Sequence, residues 1–379
     1  IYALESAMDE LAVKLGMDPV ELRRKNDSMK DTTGKEWSSR SLMKCYDEAA
    51  SAFGWSKREA KPGAVRDGDW LVGFGCASAI YPTHIGASAV RVRLGSDGRV
   101  RVQLAAHDLG TGAYTVIGQM AAEKLGVPMV HVSVELGDSA FPAAPVAGGS
   151  NTTASCCNAV MKACDAILAK LNPPTATTGS NTGAARDIEQ AFERLGVGVI
   201  EEYAEYLPPG AKPDTMAQLY HGKPFLSGGS KGEKLMYALG AEFVEVRVHR
   251  QTREIRVPRI VGAFAAGHIM NTRTARSQLM GGMIWGISSA LHEETEIDKR
   301  NARYINDNLA DYLVPVNADI RDLQVILVPE RDTFVNPAGI KGLGELGNVG
   351  TAAAVANAVY NATGIRVRQL PIRLEKLMA

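Results

Sequence analysis

Lys341-Gly342-Leu343-Gly344-Glu345-Leu346-Gly347 sets one carboxylate among three glycines, and Val349 to Ala362 (VGTAAAVANAVYNA) follows it as a nearly unbroken helical run of small and apolar residues. The glycines predict close passage of backbone against another group, because no Cβ intervenes and φ > 0 is open to them. Glu345 stands at the start of a helix whose unpaired N–H groups attract negative charge, which places it as an ionised base. A plain helix-entry turn carrying an N-terminal acid fits the local pattern equally well. The spacing Gly342-x-Gly344-x-x-Gly347 also matches a dinucleotide-binding fingerprint, but that motif needs a strand before it, a strand after its helix and a later acid. Here Pro337 sits where the incoming strand should finish, and Val367-Arg368-Gln369 stands where the acid belongs. Ser227-Gly228-Gly229-Ser230-Lys231-Gly232 lacks the Gly-Lys-Ser/Thr ending of a phosphate loop and reads as a turn.

Outward from this stretch, periodicity predicts helices over Tyr2 to Met17, Val20 to Lys25, Ser39 to Trp55, Tyr114 to Leu125, Ser150 to Leu171, Ile188 to Leu195 and Ala275 to His292. Strands are expected over Trp70 to Ile80, Ala87 to Leu94, Val100 to Ala105 and Val130 to Leu136, with Ser96-Asp97-Gly98 as a hairpin turn. Ala241 to Val248 is expected to pair with Glu254 to Phe264 across Gln251-Thr252. Ser56 to Asp69 reads as a polar linker, and Asn172 to Ala185 (NPPTATTGSNTGAA) as a clearer one. The expected fold class is α+β with mostly antiparallel or mixed sheets: a helical entry segment (1–65), a first α/β subdomain (66–175) and a second carrying the Glu345 loop (183–379).

Composition narrows the function. The 379 residues carry 42 Lys+Arg against 42 Asp+Glu, so no global field draws the chain to nucleic acid or an acidic membrane; a small molecule or a protein partner is favoured. No apolar run is long enough to insert in a membrane, and no export signal is visible, so a cytoplasmic location is expected, or a periplasmic one if a partner carries the signal. Ile1 falls in mid-pattern, and the chain is expected to be part of a longer protein. Five cysteines without a CxxC pair read as buried small hydrophobes, and seven scattered histidines lack ligand spacing, so no protein-ligated metal is expected.

Two further loops share the style of the first. His107-Asp108-Leu109-Gly110-Thr111-Gly112 closes a strand and opens a helix, and Ala147 to Ser155 (AGGSNTTAS) opens the long one. Each aims backbone N–H groups and short hydroxyls at one place, the arrangement that holds phosphate oxygens, although ordinary capping uses the same residues. Three such entries, with Gln278 inside an otherwise apolar helix, favour one large polar cofactor gripped from several sides.

Six segments in order carry a resemblance: HDLGTGAYTVIGQMAAEKLGV, GGSNTTAS, AEFVEVRVHRQTREIRVPRIVGAF, HIMNTRTARSQLMGGMIWGISSAL, NDNLADYLVP and KGLGELGNVGTAAAVANAVYNATGIRVRQLPI. Over nearly its whole length the chain resembles the C-terminal half of the molybdopterin-binding large subunit of molybdenum hydroxylases. This is the xanthine dehydrogenase and aldehyde oxidase family, and the likeness is strongest to its bacterial heterotrimeric aldehyde-oxidising members. The resemblance implies a pterin, in its cytosine dinucleotide form, whose sulfurs hold molybdenum with no protein ligand. It implies Glu345 as the base beside the metal, with Lys341, Gly342, Leu343 and Gly344 lining the cofactor. Gly110, Thr111, Gly112, Thr153, Ala154 and Ser155 follow as pterin or phosphate contacts, as do His268, Ile269, Met270, Asn271, Thr272, Arg273, Thr274 and Gln278. Thr272 departs from the proline found there in many members. The implied reaction adds water-derived oxygen to an electron-poor carbon and passes hydride to a sulfido group on the metal. Electrons then leave through iron–sulfur and FAD-bearing partner subunits, and the N-terminal half of the large subunit completes the site, so the chain by itself is expected to be inactive.

Purine-oxidising relatives sandwich a flat ring between two aromatic side chains. Ser78 stands where one of them belongs, with Phe74 or Tyr81 the candidates if the alignment slips, so an aldehyde is expected over a purine or other N-heterocycle. The rival from another class is a non-catalytic assembly domain, against which the presence of both Glu345 and Gln278 argues.

Overall fold

A computed structural model of the chain describes residues 1–171 and 188–378, so the expected linker at 172–185 lies outside the described residues. Helices form at Tyr2–Leu15, Pro19–Lys25, Leu42–Phe53, Ala113–Leu125, Thr152–Leu171, Ile188–Leu195, Thr272–Leu291 and Thr351–Thr363, each within a few residues of expectation. Asp18 caps the second of them through Oδ1, which accepts from Val20 N at 2.8 Å, while Pro19 fills the first helical position. The architecture is mixed α and β, with sheets mainly antiparallel.

The larger sheet has five strands in the order Arg66–Asp67, Trp70–Pro82, Tyr237–His249, Ile255–Ala265, Asp322–Leu327; only the last pair is parallel. Its two long central strands are covered on both faces. Phe243, Val261, Ala263 and Leu239 pack under helix Leu42–Phe53, while Val244, Val246, Ile260 and Phe264 pack under helices Thr272–Leu291 and Thr351–Thr363. The expected 241–248/254–264 hairpin forms, with an irregular register between Arg256 and Arg259, where Pro258 has no N–H to give the ladder.

Helix Thr351–Thr363 lies on the sheet at backbone distance. A Cβ added to Gly73 would stand 2.1 Å from Ala358 O, and one on Gly75 would stand 2.2 Å from Ala354 O. Two glycines on the strand and alanines on the helix therefore answer one another, and any larger residue would lift the helix off. Two buried amides tie the seat: Asn361 Oδ1 accepts from Phe74 N (2.9 Å), and Asn357 Nδ2 donates to Cys76 O (3.2 Å).

The smaller sheet has four strands in the order Val132–Glu135, Val100–Gln103, Ser88–Gly95, Val199–Tyr206, covered by helices Ala113–Leu125 and Thr152–Leu171. Its hairpin turn closes as expected, with Gly98 at φ 73° and Gly98 N donating to Gly95 O at 3.0 Å. Strands cross the division drawn from sequence. Trp70–Pro82 joins the sheet built mainly from residues after 183, and Val199–Tyr206 joins the sheet built from residues before 175. The acidic strand Val199–Tyr206 (VIEEYAEY) was not expected, because charge on its exposed face masks the alternation, and neither was the edge strand Asp322–Leu327 (DLQVIL).

Beneath the N-terminus of helix Thr351–Thr363 lies Glu242, fully buried. Burial, reinforced by Glu5, holds its carboxyl well above the usual 4.5, outweighing the hydrogen bonds from Thr351 and Gly350, so it is a neutral acid. Thr351 Oγ1 stands 2.9 Å from Glu242 Oε2 and 3.0 Å from Gly347 O. One hydroxyl has one proton, so the carboxyl proton serves the first contact and the threonine proton the second.

Two outcomes are expected. Gly75→Ala should lower stability by about 1–3 kcal/mol in urea unfolding, the cost of forcing atoms into a packed interface; an unchanged midpoint would show that the helix is not seated on the strand. Above the ordinary glutamate range the unfolded chain releases the Glu242 proton and the folded chain keeps it. That carboxyl therefore withdraws stability as pH rises, at about 1.4 kcal/mol per pH unit, up to its folded pKa. Glu242→Gln should gain stability relative to the parent as pH is raised from about 5 to about 8, and a pH-independent difference would refute the neutral-acid assignment.

Candidate active site

The three glycine and hydroxyl loops converge on one cleft of about 260 Å³ between the two sheets' helices. Thr111, Thr153, His268, Ile269, Met270, Asn271, Thr274, Gln278 and the run Lys341 to Glu345 all line it, joined by Gly148, Gly149, Ser150 and Thr152. Among these lining residues Glu345 is the one carboxylate.

The 341–347 loop is shaped by close approach and not by left-handed backbone. A Cβ on Gly342 would lie 2.5 Å from Ser150 O, and one on Gly347 would lie 2.4 Å from Leu279 O. At Gly344 it would lie 3.0 Å from Ser150 Oγ and 3.3 Å from Gln278 Oε1. None of the three has the positive φ that the sequence allowed. Across the contact, Gly282 and Gly286 bring helix Thr272–Leu291 against Asn348 N (2.9 Å) and Thr351 Cβ (2.4 Å) on the same measure.

Glu345 caps the short helical turn Leu346–Val349 by position only, without a side-chain bond to the helix N–H groups. Its carboxylate is held by side chains instead. The Tyr81 hydroxyl donates to Oε2, and Ser150 Oγ approaches the same oxygen at 3.4 Å. The expectation of loop N–H donors is corrected accordingly: the turn directs the side chain back toward strand Trp70–Pro82. Lys341 likewise contributes backbone to the cleft while its amine, fully buried, turns away to Glu330 Oε1 (2.8 Å), Asp332 Oδ2 (3.2 Å) and Tyr237 O (3.0 Å). Burial raises the Asp332 carboxyl, but Ser38 and Lys341 outweigh it and hold it below the usual range.

The other loops are built by their own caps. Asp108 Oδ1 accepts from Gly110 N (2.9 Å) and Gly112 N (3.1 Å), fixing the Gly-Thr-Gly turn in which Gly110 and Gly112 take φ 92° and 85°. Asn151 Nδ2 donates to Gly148 O (2.6 Å) and Val146 O (2.9 Å), and the turn places Ser150, a non-glycine residue, at φ 55°. Asn271 Oδ1 caps helix Thr272–Leu291 by accepting from Arg273 N and Thr274 N, both at 3.0 Å.

Six expected residues stand off the cleft wall. Gly112 packs against Thr274, where a Cβ would lie 2.9 Å from Cγ2, and exposed Gly110 precedes it in the turn. Ala154 is buried in the smaller sheet's core. Ser155 is fully buried too, its hydroxyl donating to Asn151 O and accepting from Gly86 N, both at 2.8 Å. Thr272 and Arg273 are exposed on the first turn of their helix. A helix entry points one or two of its residues at a ligand, and the helical twist carries the next ones inward.

Of the three aromatic-position candidates, Ser78 bonds Tyr46 Oη at 2.9 Å, and Phe74 packs edge-on against Phe53 at 5.0 Å under helix Leu42–Phe53; Tyr81 alone reaches Glu345. His84 stands edge-on to Tyr81 at 6.3 Å, near enough to Gly149 that a Cβ there would lie 3.3 Å from its Cδ2, and no local motif signals it. All five cysteines are free and buried, and burial pushes the thiols of Cys76, Cys156 and Cys164 up to about 12, which leaves them unreactive. Among the described residues no group of His, Cys, Asp or Glu is arranged to hold a metal ion, and no helix is long and apolar enough to cross a membrane.

Comparison with known proteins identifies the family. Residues 48–321 match the family model of the molybdopterin cofactor-binding domain. The aldehyde oxidoreductase molybdenum-binding subunit PaoC of Escherichia coli (strain K12) is 40% identical over 389 residues, covering 100% of this chain and 50% of that protein. The putative xanthine dehydrogenase molybdenum-binding subunit XdhA of the same strain is 31% identical, covering 100% and 51%. The crystal structure of the aldehyde oxidoreductase from Desulfovibrio desulfuricans superposes with a TM-score of 0.81 at 26% identity, covering 100% of this chain and 40% of that one. The chain thus spans about half the length of these curated relatives. Its fold, its ordered motifs and a family match over more than half its length make it a member of the molybdopterin cofactor-binding domain family of the molybdenum hydroxylases.

Proposed function

We propose that this chain forms one wall of the cofactor and substrate site of an enzyme that oxidises aldehydes to carboxylic acids, with Glu345 as the general base. One observation carries it: Glu345 is the single carboxylate among the residues lining a cleft otherwise made of glycines, hydroxyls, amides, apolar side chains, His268 and Lys341, whose amine turns away. The fit to a pterin that brings its own ligands to molybdenum is good. The wall offers Thr111, Thr152, Thr153, Asn271, Thr274 and Gln278, with glycine backbone at 148, 149, 342 and 344, and no cationic or metal-ligating cluster. Such a surface suits a polar, oxygen-rich and nitrogen-rich group approached closely by backbone.

When bound, the molybdenum pterin supplies the two-electron acceptor and the place where water is activated. The chain's own residues do the rest. Thr111, Thr153, Thr274, Gln278 and the backbone of His268 to Asn271 and Lys341 to Gly344 bind the group and fix its orientation. Glu345 takes up the proton that water loses as oxygen is added to the carbonyl carbon. Ile269, Met270, Ile340 and Leu343 on the wall help exclude bulk water. Aldehyde specificity is favoured over purine by Ser78, which is engaged with Tyr46 and offers no aromatic face, and by the 40%-identical relative being a subunit of an aldehyde oxidoreductase. We further propose the cytosine dinucleotide form of the pterin, the remainder of a large subunit as the opposite wall, iron–sulfur and FAD subunits as electron acceptors, and a cytoplasmic location. Support comes from the half-length coverage and from relatives named as molybdenum-binding subunits.

In the cofactor-loaded enzyme, Glu345→Gln should leave molybdenum content and KM near normal while kcat for an aldehyde falls at least ~100-fold, the scale of a lost general base. Retention of more than about a tenth of kcat would remove Glu345 from that role. Thr153→Val and Ser155→Val should separate the two neighbours. The first is expected to lower bound molybdenum in protein that unfolds normally. The second is expected to lower the unfolding midpoint, since Gly86 N loses a buried acceptor worth about 1–3 kcal/mol. Full molybdenum occupancy in Thr153→Val would reduce that threonine to a helix residue.

A further inference from the structure

We infer that Tyr81, assisted by Ser150, pins Glu345 by one carboxylate oxygen, Oε2, and thereby presents the other, Oε1, as the atom that receives the proton. Granted Glu345 as the base, this assigns a positioning role to a residue next to the end of strand Trp70–Pro82. Both hydroxyls converge on Oε2: Tyr81 donates to it, and Ser150 Oγ lies 3.4 Å away, a longer and weaker contact. Oε1 has neither donor.

Three features make the arrangement a built one. Tyr81 sits two backbone pairs beyond Ala79–Gly240, opposite Ala238, in the strand that seats helix Thr351–Thr363, so the phenol and the base are carried by elements packed together at backbone distance. Ser150 is held at φ 55°, a conformation costly for a residue with a Cβ, and this is what brings its hydroxyl to the loop. Gly344 is crowded by Ser150 Oγ and Gln278 Oε1, which leaves the Glu345 backbone little room to turn.

The charges around the pair are few. Tyr81 and His84 face Glu345 from the strand side, and Lys231 faces His84 from the 227–232 loop. Helix Thr272–Leu291 contributes the uncharged Gln278, and the Lys341 amine is engaged with Glu330 and Asp332. Burial first, then the Glu345 carboxylate, pushes the Tyr81 phenol far above its ordinary value, so it stays a proton donor. Burial and Lys231 together hold the His84 imidazole below its usual range, against the pull of Glu345. A hydrogen bond to a charged oxygen is stronger than one to a neutral acid, so Tyr81 favours the base form and releases part of its hold once Glu345 is protonated.

The test combines turnover with a readout that needs no cofactor. Tyr81→Phe in the loaded enzyme should lower kcat by roughly 10- to 100-fold, the scale of a hydrogen bond to a charged group, with KM within about twofold and molybdenum content unchanged. In the cofactor-free chain, urea midpoints of Tyr81→Phe, Glu345→Gln and the double variant should be non-additive, as they are for groups in contact. Additive midpoints or a kcat within about threefold of the parent would each overturn the assignment. Glu345→Gln run in parallel separates the two claims. If it keeps more than about a tenth of kcat, Glu345 is not the base; if it is inactive while Tyr81→Phe matches the parent, only the role of Tyr81 falls.

Discussion

Helix Thr351–Thr363 rests on strand Trp70–Pro82 with no side chain between the two backbones, and the rest of the site inherits its position from that contact. Gly73 and Gly75 on the strand meet the carbonyls of Ala358 and Ala354, distances that no Cβ would permit. Gly350 repeats the motif one turn earlier, where a Cβ would lie 2.8 Å from Ser78 O and 2.7 Å from Glu242 Oε2. Helix Thr272–Leu291 then closes on the same element through Gly282 and Gly286. The 341–347 loop is the lead-in to this helix, so the depth at which the helix sits sets where Glu345 stands. Dispersion between closely matched surfaces is weak per atom and falls steeply with distance, which is why small residues, and not large apolar ones, are required here.

The polar groups beneath this packing are individually costly to bury, and most of their atoms are hydrogen-bonded, although Glu242 Oε1 has no partner among the described residues. Glu242 keeps its proton and shares a hydrogen-bond relay with Thr351 and Gly347. Lys341 is charged, with Glu330 and Asp332 around it and Ser38 bonded to Asp332 at 2.6 Å. The relay is tied to the end of the Glu345 loop and the ion cluster to its beginning. Breaking one partner of a buried charge cluster strands the others, so such groups tend to specify one arrangement of the chain. Farther out, Glu5 pairs with Arg23 and accepts from Ser78 N at 2.8 Å, joining the first helix to the same strand.

One strand thus has two duties. Its glycines at 73 and 75 accept the helix, and its tyrosine at 81 reaches the carboxylate that the helix carries to the cleft. The packing surface and the polar contact thus fix Glu345 together, one from the helix side and the other from the strand. The cofactor side of the cleft uses the opposite device: loops capped by Asp108, Asn151 and Asn271 spend their own side chains on local backbone, leaving neighbouring hydroxyls and N–H groups for a ligand.

Periodicity and composition by themselves determined the longer helices, six of the described strands, the hairpin at 96–98, the three glycine loops and Glu345 as the carboxylate to consider, because each is written within a few neighbouring residues. The ordered motifs carried the family, for the same reason. Tertiary structure decided what those signals could not. The acidic strand Val199–Tyr206 finds its place only through its partner Ser88–Gly95, and strand Trp70–Pro82 through Tyr237–His249. Thr153 and Ser155 look alike in a cap sequence, yet one lines the cleft and the other is buried against Gly86. Lys341 is adjacent in sequence to the cleft glycines and faces the other way, while Tyr81, 264 residues from Glu345, touches it. Side-chain direction at a given backbone position depends on which distant atoms complete its hydrogen bonds or fill its contacts, and no local period records that.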